Sequence, residues 1–276
     1  MMWTLHRALN SLFDLLLWPF QIRSPWPGLV FASLVTAAVL VALFSVSSSP
    51  SAIRRSRNKL LARTLELLLF QHDLRVGLTA CGRIVSANLA YLWQFLKPMC
   101  LGLIPLLLLF VQMENWFERR PFRVGEPGVL TVQLATAYPV LTTPVQLQLS
   151  DAIRVDSPPV RIPSKNELAW RFVAESDTAH WADVTVAEVR ERKHVVIGKS
   201  LARVAPVRVS QGAAREVFSP SEKPLAASSP VQRMEISYPT RKLFLGLTEI
   251  PWIAAALVLM MVFSLGLGRL LGVPMA

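Results

Sequence analysis

Three long runs of apolar residues interrupt the polar pattern of the chain. The first occupies residues 28–47, the second residues 98–113, and the third lies within residues 246–276. An α-helix rises about 1.5 Å per residue, so about 20 apolar residues span a hydrocarbon layer of roughly 30 Å. The second run is short by itself, and we expect the amphipathic segment before it, residues 87–97, to continue its helix. The pattern therefore predicts three transmembrane helices.

The amino-terminal segment, residues 1–27, carries apolar side chains at near-helical spacing and polar side chains between them. This pattern is typical of an amphipathic helix that lies in the membrane interface. A fourth, weakly hydrophobic membrane span is the alternative. The apolar positions are Trp3, Leu9, Leu12, Phe13, Leu16 and Leu17.

Residues 48–97 show two stretches with helical periodicity and a break near residues 71–73, which predicts a helical hairpin. Residues 54–97 contain eight Lys or Arg and two acidic residues, and a basic cluster directly follows the first span. A signal peptide would carry its positive charge before the apolar run. The positive-inside rule instead places the hairpin and the carboxyl terminus in the cytoplasm and the amino terminus outside, in an integral plasma (inner) membrane protein. The clustered basic residues are Arg54, Arg55, Arg57, Lys59 and Arg63.

The long region between the second and third spans, residues 114–245, alternates polar and apolar residues over short stretches. Such stretches occur at 130–134, 145–149 and 170–174, and around 184–186 and 195–197. Period-two alternation predicts half-buried strands, and the prolines between the stretches favour turns. The sequence thus predicts an external β-sandwich domain in an α+β membrane protein. The Ser-, Ala- and Pro-rich segment 210–230 is expected to be irregular.

Composition limits the chemistry that the chain can perform. Hydrophobic residues make up 53% of the 276 positions, and the net charge is +11. Both cysteines precede the predicted β domain, so no disulfide is expected to stabilise it. His180 and His194 are far apart and lack a ligand cluster at metal-binding spacing, and no catalytic or phosphate-binding motif occurs. We therefore predict neither an enzyme nor a bound metal or cofactor.

Polar residues at membrane level are functional candidates, because a polar group within hydrocarbon is costly. Lys97 stands where the second apolar run begins, and Asn88 and Gln94 precede it; together they would form a groove on the cytoplasmic side. Ser33 and Thr36 on the first span would face the same groove. The alternatives are a lysine that extends to the interface and hydroxyls that bond to their own helix.

The order of these parts resembles the compact three-span branch of the YidC insertase superfamily. Three segments are similar to that branch: the junction at residues 47–53, the entry to the second span at 96–105, and the last span at 252–273. The resemblance implies an outside amino terminus, a cytoplasmic hairpin and an activity in membrane-protein insertion. The predicted β domain at 114–245 stands where that branch has a short loop.

Two functions are compatible with this organisation. The first is an insertase-like biogenesis factor that receives hydrophobic clients at the cytoplasmic-side groove. Its basic hairpin would contact anionic lipid, a client or the ribosome, without reading a nucleic-acid sequence. The second is a membrane-anchored binding or scaffold protein whose external domain recognises an envelope partner. A wet groove between the spans is expected for the first function and a tightly packed bundle for the second.

Overall fold

The computed structural model describes residues 2–22, 24–47, 74–177, 180–212 and 221–271, and isolated helical positions between 55 and 65. The chain divides into two compact units. One is formed by Met1–Ala32 with Phe110–Ala255, and the other by Ser33–Leu109 with Ala256–Ala276. The helices are α1 (Met2–Leu17), α2 (Trp26–Ser47), α3 (Leu74–Phe117) and α4 (Trp252–Leu270). The strands are β1 (Pro127–Leu134), β2 (Val145–Leu149), β3 (Ile153–Val155), β4 (Val160–Ile162), β5 (Glu167–Ala174), β6 (Trp181–Val186), β7 (Val189–His194), β8 (Val207–Val209), β9 (Val231–Ile236), β10 (Leu243–Leu245) and β11 (Thr248–Ile250).

Three helical segments are long and apolar enough to cross a membrane: α2, the Met99–Phe117 part of α3, and α4. They coincide with the three apolar runs of the sequence, each shifted by a few residues at its ends. The fold is therefore α+β with three apolar helices, as the hydrophobic pattern predicts.

Helix α3 runs unbroken for 44 residues. At about 1.5 Å per residue it is about 66 Å long, roughly twice the thickness of a hydrocarbon layer. The expectation that residues 87–97 continue the helix of the second apolar run is confirmed. Of the predicted hairpin, the break at 71–73 and the basic residues Arg54, Arg57, Lys59 and Arg63 lie outside the described residues, while Arg55 is helical and exposed.

Two larger antiparallel sheets and the two-stranded hairpin β10–β11 build the β domain, residues 118–250. The larger has the order β3-β5-β1-β9-β8, with β4 also paired to β5, and the smaller has the order β2-β6-β7. Alternation is clearest in β1, where Leu130, Val132 and Leu134 are buried and the residues between them are more exposed. The predicted strand around 195–197 is wrong: β7 ends at His194, and Ile197 forms only an isolated bridge.

One hydrophobic core draws buried side chains from both of these sheets. At one place in this core the Phe122 ring stacks on Tyr238 at a centroid distance of 4.8 Å and meets the edge of Phe172 at 5.4 Å. Gly128 in β1 pairs with Phe172, and a Cβ there would come within 2.5 Å of the Phe172 ring. The glycine therefore permits the close approach of the aromatic rings to β1.

The segment predicted to be irregular, residues 210–230, contains no named strand or helix in its described part, 210–212 and 221–230. It nevertheless contributes to the core. Leu225 is fully buried and forms a parallel bridge with Ser210. The buried side chain of Leu225 thus anchors this irregular segment to the core of the β domain.

Helix α1 belongs to the same unit as the β domain, and the Asp14 carboxylate lies 3.2 Å from the Arg203 guanidinium. Its exposed side carries Leu5, Leu12 and Leu15. Of the predicted apolar positions, Phe13 and Leu17 are buried and Leu12 is exposed, whereas the polar residues His6 and Asn10 are buried. The buried side of α1 therefore differs from the predicted apolar face.

Candidate functional site

An apolar stripe follows one side of α3 along much of its length. Its members recur every three or four residues, which is the spacing of one helical face, and each side chain is at least 40% exposed. The stripe begins in the part of α3 that precedes the apolar Met99–Phe117 segment and continues into that segment. We name it the α3 stripe, and it consists of Val85, Leu89, Leu92, Leu96, Met99, Leu103 and Leu107.

Asn88 lies beside the α3 stripe, three residues after Val85 and four before Leu92, and its side chain is exposed. Gln94 and Lys97 belong to the same helix, but their side chains lie outside the described residues. Residues 88 and 97 are nine positions apart, about two and a half turns of helix. Positions 88 and 97 therefore lie on opposite faces of α3. The predicted groove at Asn88, Gln94 and Lys97 stays a prediction.

Ser33 and Thr36 lie one turn apart on α2, and both are buried. The Ser33 hydroxyl has no hydrogen-bond partner among the described residues. A buried hydroxyl without a partner is costly in apolar surroundings. These two residues thus mark a buried polar position within the apolar helix α2. Asn88, in contrast, is exposed. The described candidate residues therefore do not form one cluster.

A second candidate site, which we name the basic cavity, lies in the unit that contains the β domain. Its volume is about 800 Å³. Five of its lining residues are basic and none is acidic. The cavity is lined by Pro25, Arg120, Pro121, Arg123, Gly198, Lys199, Ser200, Pro239, Thr240, Arg241, Lys242 and Phe244.

Two of the five cations are neutralised by neighbouring carboxylates. Arg120 forms a two-pronged ion pair with Glu126, at 2.7 and 2.8 Å, and the Lys242 ammonium lies 3.0 Å from a Glu249 oxygen. The hydrogen bond from Arg120 lowers the pKa of Glu126, although burial alone would raise it. The Glu126 carboxylate is therefore ionised.

The side chains of Arg123, Lys199 and Arg241 form no ion pair with a carboxylate among the described residues. The Arg123 N–H does donate to a Glu126 carboxylate oxygen at 2.9 Å, and the charge of Arg123 helps to lower the pKa of Glu126. Arg241 donates to the Arg119 carbonyl at 3.4 Å, and its Nε is buried without a partner in that part of the chain. Burial, together with repulsion from Arg120, lowers the pKa of Arg241 to about 10. The basic cavity thus holds an excess of positive charge.

The basic cavity lies where the ends of apolar helices join the β domain. Arg120 follows the end of α3 at Phe117, and Pro25 precedes the start of α2 at Trp26. The Trp26 indole donates to the Phe244 carbonyl at 3.1 Å, and the Trp252 indole at the start of α4 donates to the Glu118 carboxylate. These bonds connect helix ends to the segments that form the cavity.

A short hairpin, β10–β11, lies between the basic cavity and α4 in the sequence. Its turn contains Gly246 with a φ of +63°, a conformation that favours glycine. Phe244, Leu245 and Leu247 are all more than half exposed. An apolar hairpin tip of this kind is unusual on a surface that faces only water.

The basic cavity was not predicted from the sequence, because its residues come from four separate segments. The available signal was the concentration of basic residues at 119–123, directly after the second apolar run, and at 241–242, shortly before the third. Among the described residues no three His, Cys, Asp or Glu side chains form a metal-binding group. Comparison of the chain with protein-family models, with characterised proteins and with solved structures gives no match.

Proposed function

We propose that the protein is an insertase-like membrane-protein biogenesis factor. In this proposal α2, the Met99–Phe117 part of α3, and α4 cross the plasma membrane, and the hairpin at 48–97 lies in the cytoplasm. The two sheets of the β domain form a sandwich on the opposite side. The excess of basic residues at 54–97 supports this orientation, and the resemblance of the span order to the YidC superfamily supports the activity.

The α3 stripe is the observation that carries the proposal. The part of α3 before Met99 extends over about 25 residues, or roughly 37 Å, beyond the apolar segment. An exposed apolar stripe on such an extension favours a hydrophobic partner, because contact removes apolar area from water at about 25 cal/mol per Å². Since the stripe continues into the apolar segment, a partner bound to it has an uninterrupted apolar path into the bilayer.

The occupant that this surface fits is a hydrophobic segment of a nascent membrane protein. Such a segment binds an apolar helix face through side chains spaced three and four residues apart. Its polar flank would meet the exposed side chain of Asn88 beside the stripe. A hydrogen bond to Asn88 would lower the cost of moving that flank towards an apolar environment.

Site-specific photocrosslinking at Leu92 tests this proposal. Leu92 lies on the α3 stripe and is more than half exposed. With a photoreactive amino acid at position 92, we expect crosslinks to newly made membrane proteins in cells that express the full chain. The reason is that a client in transit covers the stripe.

Ala90 provides the matched control. It is exposed and two residues from Leu92, so it lies about 200° around the helix from it. A photoreactive residue at position 90 should give few crosslinks to clients. Equal yields at both positions, or crosslinks to lipid alone at position 92, would contradict the proposal and favour the membrane-anchored scaffold.

A further inference from the structure

We propose that the basic cavity binds the phosphate headgroup of an anionic phospholipid from the outer leaflet. This inference rests on the proposed function only for the orientation that places the cavity at the outer membrane surface. It assigns a ligand to a part of the protein that client handling does not use.

The charge of the cavity indicates an anionic ligand. Arg123, Lys199 and Arg241 line a volume of about 800 Å³, and their side chains form no ion pair with a carboxylate among the described residues. Cations that surround one cavity repel each other, and an anion within the cavity relieves that repulsion. Arginine is suited to phosphate because its planar guanidinium donates two parallel hydrogen bonds to two oxygens.

The surroundings of the cavity favour a lipid over a soluble anion. Phe244 lines the cavity, and Leu245 and Leu247 extend the apolar surface along the β10–β11 hairpin. Trp26 and Trp252 stand at the starts of the apolar helices α2 and α4, where tryptophan is enriched at the membrane interface. A ligand with a phosphate and acyl chains contacts both the cations and the apolar surface, whereas free phosphate contacts the cations only.

The size of the cavity fits a headgroup. Small-molecule sites occupy about 300–1,000 Å³, and the basic cavity falls in that range. Four of its five cations come from the segments that follow α3 and precede α4, and Lys199 comes from the segment between β7 and β8. A bound headgroup would therefore lie near the ends of two apolar helices. The lipid would therefore tie the β domain to the membrane surface.

Lipid binding by the purified full chain tests the proposal. A phosphatidylglycerol with a fluorescent acyl chain is titrated into the protein in neutral detergent micelles, with unlabelled phosphatidylglycerol, phosphatidylcholine and inorganic phosphate as competitors. We expect phosphatidylglycerol to compete best. In the double variant Arg123→Gln, Lys199→Gln, binding should weaken about 25-fold, because each basic residue near an anionic lipid strengthens binding roughly fivefold.

The matched control removes two positive charges elsewhere on the β domain. Arg154 forms an exposed pair with Glu175, and Lys165 is exposed, so the variant Arg154→Gln, Lys165→Gln should bind phosphatidylglycerol like the parent. The proposal is overturned if both double variants bind alike while their melting temperatures match the parent. It is also overturned if phosphatidylcholine or inorganic phosphate competes as well as phosphatidylglycerol. Because no client is present, this result and the crosslinking result at Leu92 can fail independently.

Discussion

Replacement of Phe122 with alanine is expected to lower the free energy of unfolding of the β domain by about 3–5 kcal/mol, the usual cost of deleting a buried phenylalanine. The Phe122 side chain is fully buried. Its ring stacks on Tyr238 and meets the edge of Phe172, so alanine leaves a cavity with two aromatic walls. Urea unfolding of the purified protein in detergent, followed by tryptophan fluorescence, measures the change.

The backbone of Phe122 adds to the importance of this position. Its N–H donates to the Val196 carbonyl at 3.2 Å, and its carbonyl accepts from the Gly198 N–H at 2.8 Å. These bonds join the segment that follows α3 to residues 196–198, beside the basic cavity. Val124→Ala is the matched control, because Val124 is two residues further on and more than half exposed. It should cost less than about 0.5 kcal/mol, and equal losses in the two variants would refute this account of the core.

The second large effect is expected at Glu222. The Lys193 ammonium is fully buried; it donates to the Ala205 carbonyl at 2.6 Å and to the Glu222 carboxylate. The other Glu222 oxygen accepts from the His194 N–H at 3.1 Å. Glu222→Gln removes the only carboxylate bonded to Lys193 among the described residues and leaves a buried charge uncompensated, so it should destabilise the domain by about 3–5 kcal/mol.

The pH dependence of stability provides a second measurement for the same pair. Burial lowers the pKa of Lys193 below its ordinary value of 10.5, and Glu222 opposes that shift. At pH values between the pKa of Lys193 in the folded protein and its pKa in the unfolded chain, the unfolded chain holds a proton that the folded protein has released. Stability therefore rises with pH in this window, is greatest above the unfolded pKa, and is lost as pH falls through the folded pKa. In Glu222→Gln the folded pKa should fall further, which extends the window to lower pH.

Two further variants separate this effect from a general loss of charge. Glu175→Gln removes a carboxylate whose partner Arg154 is exposed, and it should cost less than about 1 kcal/mol. Lys193→Met combined with Glu222→Leu replaces the pair by apolar side chains and should recover most of the stability. If Glu222→Gln unfolds at the same urea concentration as the parent, the buried pair does not have the role described.

Periodicity in the sequence was sufficient to predict the elements that bury a regular apolar face. The three apolar helices, the continuation of α3 through residues 87–97, and the alternating strand β1 all follow from hydrophobic spacing. Strand β7 was missed because its sequence, VRERKH, consists largely of charged residues. Lys193 in this strand is buried, and its ammonium donates to Ala205 and Glu222, which lie 12 and 29 residues further along the chain.

The two candidate sites also differ in how far the sequence predicts them. Leu89 and Leu92 of the α3 stripe were recognisable as an apolar helix face, because helical spacing is a local property. The basic cavity was not, since Arg123, Lys199 and Arg241 are brought together by the fold of the β domain over more than a hundred residues of chain. Local patterns carry no information about contacts of this kind.

In the proposed orientation, the amino-terminal part of α3 and the β domain lie on opposite sides of a membrane. Cysteine labelling tests it directly, in a full-length background with Cys81→Ser and Cys100→Ala. Asn88→Cys and Val124→Cys place single thiols at exposed positions on α3 and in the β domain. A membrane-impermeant maleimide should label Val124→Cys in right-side-out vesicles and Asn88→Cys only in inverted vesicles. Labelling of both positions from the same side would contradict the account.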